Sequence, residues 1–149
     1  MPDAAPFSPP ALLAAAGWDD YALLDSGDGR KLERYGTVTV IRPEEQAMWL
    51  PAGVWERADA VFSGDTDEDG PGRWRSRPKL AESWTMRYGP ATALLRFTSF
   101  RHLGIFPEQR VHWDDATARI AAHDGEFRLL NLFGYTGVAS LLAAAAGAR

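Results

Sequence analysis

The chain has 149 residues, 46% of them hydrophobic and 24% charged, a mix that places it among soluble globular proteins and excludes disordered, collagenous and membrane-spanning classes. It contains no cysteine, which excludes disulfides, a thiolate nucleophile, Cys-ligated zinc and iron–sulfur clusters, and fits a reducing compartment. The net charge of −4 hides an asymmetry: residues 1–72 carry −9, residues 73–110 carry +6 and residues 111–149 carry −1, and 14 of the 16 cations are Arg, which favours planar, bidentate recognition of phosphate or carboxylate.

Residues 1–17 are rich in Pro and Ala and read as a loose arm entering a short helix at residues 10–17. Neither a signal peptide nor a membrane span is expected there, because the apolar run is short and no basic residue precedes it, so the expected location is the cytoplasm. Residues 18–42 alternate β-branched and aromatic segments with Gly-containing turns, the pattern of a small antiparallel unit. Pro51 and the spacing of Val54, Trp55, Ala58 and Val61 predict a short helix over residues 51–60. Asp65, Asp67, Glu68 and Asp69 fall in a Gly- and Pro-rich stretch with nothing to bury, which predicts a solvated loop; a calcium loop would need a later bidentate Glu that the Arg-rich continuation lacks.

Residues 73–77, 84–88 and 94–100 read as strands of a second antiparallel sheet, with a turn at Gly89 and Pro90. A helix is predicted over residues 112–122, followed by a turn at residues 123–125. Residues 127–133 read as a short apolar strand, residues 134–137 as a tight turn, and residues 138–146 as a helix whose Val138, Leu141, Leu142 and Ala145 face inward. A strand leading through a Gly-containing turn into a helix suits a phosphate or carboxylate, because the turn admits a ligand to the backbone and the helix start offers N–H groups and positive potential. Gly134 and Gly137 alone are a weak signal, since many such corners bind nothing.

The surrounding words are more specific. The stretch LLNLFGYTGVAS at residues 129–140 resembles the first S-adenosylmethionine-binding motif of class I methyltransferases, in the form seen in the ribosomal RNA cytosine-C5 methyltransferase-like group. The stretch TSFRHLGIFPEQR at residues 98–110, with Trp113 and Asp114, is similar to the segment that precedes the methyltransferase domain in that group, and LDSGDGRKLERYG at residues 24–36 with Ile41, Arg42 and Pro43 resembles its small N-terminal domain. The resemblance implies an α+β architecture: a β-rich N-terminal region over residues 18–110 that contacts substrate, then the first strand and helix of a Rossmann-like α/β domain from residue 111, truncated at residue 149.

It also implies roles. S-adenosylmethionine is the expected cofactor, with Asn131, Phe133, Gly134, Tyr135, Thr136 and Gly137 contacting it, Thr136 capping the following helix, and Phe106, Glu108, Gln109 and Arg110 forming an aromatic and polar wall. No catalytic residue is nominated, because the family's ribose-binding acid and its active-site motif would lie after residue 149 and the chain has no Cys for attack on cytosine C5. The lone first strand would then have bare edges, and the chain is expected to be inactive alone and to bind S-adenosylmethionine more weakly than ~100 μM or not at all.

Arg73, Arg75, Arg77, Arg87 and Arg101, interleaved with aromatic residues, are candidate contacts for RNA. The histidines His102, His112 and His123 share no metal-type spacing, so no metal is expected, and neither is a membrane partner. A free-standing RNA-binding module without enzymatic activity is the alternative expectation.

Overall fold

The computed structural model describes residues 11, 13–14, 17–64 and 72–149. The expected solvated loop with Asp65, Asp67, Glu68 and Asp69, and most of the N-terminal arm, lie outside them. Strands β1 (Tyr21–Gly27), β2 (Arg30–Tyr35) and β3 (Val38–Pro43) form an antiparallel meander, as the sequence predicts. The first turn, at Asp28 (φ +49°) and Gly29 (φ +69°), has the two positive φ values whose twist matches that of the flanking strands. One extra residue, Leu24, bulges out of β1 and locally breaks its pairing.

Strand β4 (Ala60–Ser63) joins β3 in parallel, and β5 (Arg73–Ser76) pairs antiparallel with β4, so the sheet runs β1-β2-β3-β4-β5 and is mixed rather than wholly antiparallel. This corrects two expectations. Residues 51–60 form no helix, because N–H groups that would start one are taken by the Asp25 carboxylate, which accepts from Ala52 N (3.3 Å), Gly53 N (3.2 Å) and the Trp55 indole (2.8 Å). Strand β5 belongs to the first sheet, because Phe62 of the unforeseen β4 stands opposite Trp74 and packs its ring against it, centroids 5.2 Å apart.

The second sheet is the hairpin β6 (Ser83–Tyr88) and β7 (Ala91–Arg96), turned at Gly89 and Pro90. Strand β7 stops short of the expected residue 100, because the Thr98 hydroxyl takes the Phe100 N–H (3.2 Å) and folds the chain back on itself. A 3₁₀ turn (Pro107–Gln109) leads into α1 (Arg110–Ala121), and α2 (Val138–Ala145) closes the chain. One buried cluster joins all the layers: Trp18, Tyr35, Val40, Met86, Leu95, Leu103, Trp113, Val138 and Leu142. Helix α2 buries Val138, Leu142 and Ala143, while Leu141 and Ala145 are exposed, so its packed face is rotated from the expected one.

Residues 127–133 do not form the expected strand. Among the described residues no other strand lies alongside to complete a ladder; the backbone there exchanges two bonds with the chain end, Leu129 N to Arg149 O (3.1 Å) and Arg149 N to Phe127 O (2.9 Å). Among the described residues no helix is long and apolar enough to cross a membrane.

A charged group sits inside the first sheet. Glu33 (1% exposed) and Arg42 (5%) are locked together, Arg42 Nη2 donating to Glu33 Oε1 at 2.9 Å, with the Tyr21 hydroxyl donating to the same oxygen at 2.9 Å and the Tyr35 hydroxyl at 3.2 Å. Burial pushes the Glu33 carboxyl up, but the Arg42 bonds and charge, helped by Lys31 and Tyr21, outweigh it and hold it below the ordinary carboxylate value.

Candidate functional site

The loop after β7, the 3₁₀ turn and the 134–137 turn converge although about thirty residues separate them in sequence. The Thr136 hydroxyl donates to the Gly104 carbonyl at 2.6 Å, and the Phe106 and Tyr135 rings pack with centroids 4.9 Å apart. Tyr135 takes a positive φ of +48° and Gly137 one of +86°, so the backbone reverses there and Gly137 becomes the residue before α2. Thr136 therefore does not cap α2 as expected, since its hydroxyl is committed to the loop beside it; no side chain caps this helix and no acidic residue occupies its first turn. Among the described residues, no side-chain cap or first-turn acid meets the positive end of the helix.

Between these segments and α1 lies a cavity of about 710 Å³. Of the expected site residues, Phe106, Glu108, Gln109, Asn131, Phe133, Gly134, Tyr135 and Thr136 all line it. Gly137 does not, serving as the backbone hinge instead, and Arg110 does not, because its guanidinium is held elsewhere: Nε donates to the Tyr88 hydroxyl (3.0 Å), lies 3.4 Å from Asp114 and stacks 5.5 Å from the Tyr88 ring centre. The pairing with Tyr88, chiefly, and with Asp114 raises the Arg110 guanidinium further above its ordinary range.

Sequence reasoning passed over the wall that α1 supplies. His112, Trp113, Ala116 and Thr117 line the cavity beside Gln109, at the one-, three- and four-residue steps that mark one helical face, and that spacing was the available signal. The rim is strongly apolar: its Leu130 and Phe133 are 81% and 92% exposed. The Asn131 amide donates to the Ser140 hydroxyl at 3.1 Å, tying the approach segment to the first turn of α2.

Behind Phe106 stands His102, its ring 4.8 Å from the Phe106 ring centre. Its Nδ1 is buried and has no hydrogen-bond partner among the described residues. Burial, first, and the charges of Arg42 and Arg101 hold its pKa below the usual histidine value, so the ring is neutral at pH 7. A second cavity, about 520 Å³, lies on this side and shares Tyr135 and Thr136 with the first.

The five candidate RNA-contacting arginines stand outside both cavities. Arg73 and Arg75 are exposed on β5, on the side away from Trp74 as strand alternation predicts. Arg77 lies just past the strand, 3.8 Å from Asp59, and Arg101 follows Phe100, whose carbonyl accepts the Trp74 indole N–H at 3.0 Å. Arg87 is at the other end of β6, where its backbone N–H donates to Asp20 at 2.6 Å.

No family model matches the chain, and no curated protein does. Among solved structures it is similar to an S-adenosylmethionine-dependent methyltransferase from Agrobacterium tumefaciens, at 51% identity and a TM-score of 0.86, over 93% of this chain and 45% of that one. The chain has the fold of part of that methyltransferase. A Streptococcus mutans protein assigned to the same class shares the fold at 17% identity and a TM-score of 0.58, over 87% of this chain and 37% of that one. The chain thus spans less than half the length of either structure.

Proposed function

We propose that this chain is the N-terminal part of a class I S-adenosylmethionine-dependent methyltransferase of the ribosomal RNA cytosine-C5 methyltransferase-like group, that its larger cavity holds the cofactor, and that RNA is the acceptor. The observation that carries the reading is the convergence of Phe106 and Gln109 with Asn131, Tyr135 and Thr136 around one space. Its volume, about 710 Å³, lies within the range of small-molecule sites, roughly 300–1,000 Å³. The residues suit the ligand: aromatic rings from two segments face the space, Gln109 and Asn131 offer polar groups, and the uncapped start of α2 suits a carboxylate.

When bound, S-adenosylmethionine supplies a methyl carbon made electrophilic by its sulfonium. The chain's own contribution is to orient it and to exclude water. Phe106 and Tyr135 close one side, the Thr136–Gly104 bond fixes the distance between the two contributing segments, and α1 forms the floor through Trp113 and Ala116. No proton-transfer group is assigned, and the activity of the chain by itself is expected to be absent.

The test is titration of the chain with S-adenosylmethionine, followed by the amide resonances of residues 104–140. Saturable binding weaker than ~100 μM, abolished by Phe106→Ala and Tyr135→Ala, is expected for a partly enclosed ligand. Binding indifferent to both substitutions, or binding by this chain alone much tighter than ~100 μM, would overturn the reading. For RNA, the support is the exposed Arg73 and Arg75 within the +6 segment. The double variant Arg73→Glu, Arg75→Glu should weaken binding to unstructured RNA and lower the slope of its salt dependence by about one unit for each phosphate no longer neutralised. An unchanged salt slope would remove these residues from the interface.

A further inference from the structure

The second cavity, about 520 Å³, is lined by β7, the loop that follows it and the 134–137 turn, and its walls carry a chemistry of their own. Two apolar side chains on those walls, Leu94 and Phe100, are 63% and 65% exposed. The backbone that carries the Phe100 ring is pinned. The Thr98 hydroxyl accepts from Phe100 N (3.2 Å) and donates to His102 O (3.2 Å), while the Trp74 indole donates to Phe100 O (3.0 Å). Arg96, also on the wall, is exposed, and no hydrogen bond or ion pair holds its guanidinium among the described residues. His102 lines the same space, neutral at pH 7 and with its buried Nδ1 unmatched among the described residues. All four wall residues belong to the 73–110 segment, which carries +6.

We propose that this cavity is a nucleotide subsite, in which one unpaired base of a single-stranded RNA stacks on Phe100 while its phosphate meets Arg96. The inference rests on RNA being the acceptor and adds the residues that would hold the strand. An open aromatic ring on a fixed backbone is a stacking platform for any base, and a base locked in a duplex has no free face to offer it. A guanidinium that no carboxylate claims matches a phosphate, whereas a hydrocarbon ligand would leave both Arg96 and the His102 nitrogen unmatched. Tyr135 and Thr136 line both cavities, so a base on Phe100 lies against the wall of the space assigned to S-adenosylmethionine. The five arginines singled out from the sequence stand outside this space; Arg96 is the cation that reaches it among the described residues.

The test titrates the chain into a short unstructured RNA carrying one fluorescent aminopurine, whose emission falls on stacking, with the aminopurine riboside monophosphate as the strandless control. Saturable quenching of the oligomer is expected. Phe100→Ala should abolish the quench and weaken binding roughly 5- to 150-fold, the range for one base stack, and Phe100→Trp should preserve both. Arg96→Gln should lower the salt slope by about one unit. Neither residue lines the larger cavity, so all three variants should keep the parent's circular dichroism and its response to S-adenosylmethionine. An oligomer whose affinity and quench are unchanged in Phe100→Ala overturns the subsite alone. An oligomer that the parent chain does not bind overturns the subsite together with the RNA reading, and a monophosphate bound as tightly as the oligomer replaces the strand with a free nucleotide.

Discussion

At the residue scale, Glu33 and Arg42 occupy the interior of a sheet where two apolar side chains would cost less to desolvate. Their pairing makes the loss of either partner far worse than the loss of both. Arg42→Met or Glu33→Leu alone should destabilise by about 3–5 kcal/mol, because an uncompensated charge stays buried, whereas the double substitution should fall near the parent in urea unfolding. His102 gives a pH dependence. Its pKa in the folded chain lies below the ordinary 6.5, so the unfolded chain takes up a proton that the folded chain resists, and stability falls as pH drops below about 6.5. Glu33, also lowered, adds a second loss as pH falls below its ordinary 4.5 toward its folded value. Melting temperatures between pH 5 and pH 7 should therefore slope less in His102→Gln than in the parent, and an equal slope would show that the ring titrates freely.

At the element scale, the backbone reversal before α2 depends on Gly137 at φ +86°. Gly137→Ala should cost roughly 1–2 kcal/mol in chemical unfolding and disturb the Tyr135 resonance, since a Cβ is disfavoured in that conformation. This corner and the β1–β3 meander were legible in the sequence because each is written locally, in a Gly-containing turn between apolar segments of the right period. Elements defined by distant partners were not. Strand β4 has four residues and is recognisable only through Val40 and Trp74, which it meets from far along the chain. The 51–60 segment reads as helix until Asp25, some thirty residues earlier, claims its N–H groups. Residues 127–133 carry strand composition but meet no neighbouring strand among the described residues. Of the candidate site, the turn and the 3₁₀ segment were readable as motifs, whereas the departure of Arg110 was decided by Tyr88 on the other sheet.

At the scale of the whole molecule, a continuous buried cluster links both sheets and both helices, with Trp18 at one end and Leu142 at the other. Unfolding followed by tryptophan fluorescence and by far-ultraviolet circular dichroism should therefore give coincident transitions; separated midpoints would mean that the two ends melt independently. One segment stands apart from that cooperative body. Leu130, Leu132 and Phe133 are exposed on irregular and turn backbone that no strand pairs with among the described residues, with no charge between residues 129 and 140. An exposed apolar segment without charge is an aggregation hazard, so concentrated solutions of this chain should turn turbid and bind thioflavin, and Leu132→Lys should lengthen the lag. The colloidal lifetime of the chain then rests on a handful of greasy side chains beside the cavity, rather than on its melting point.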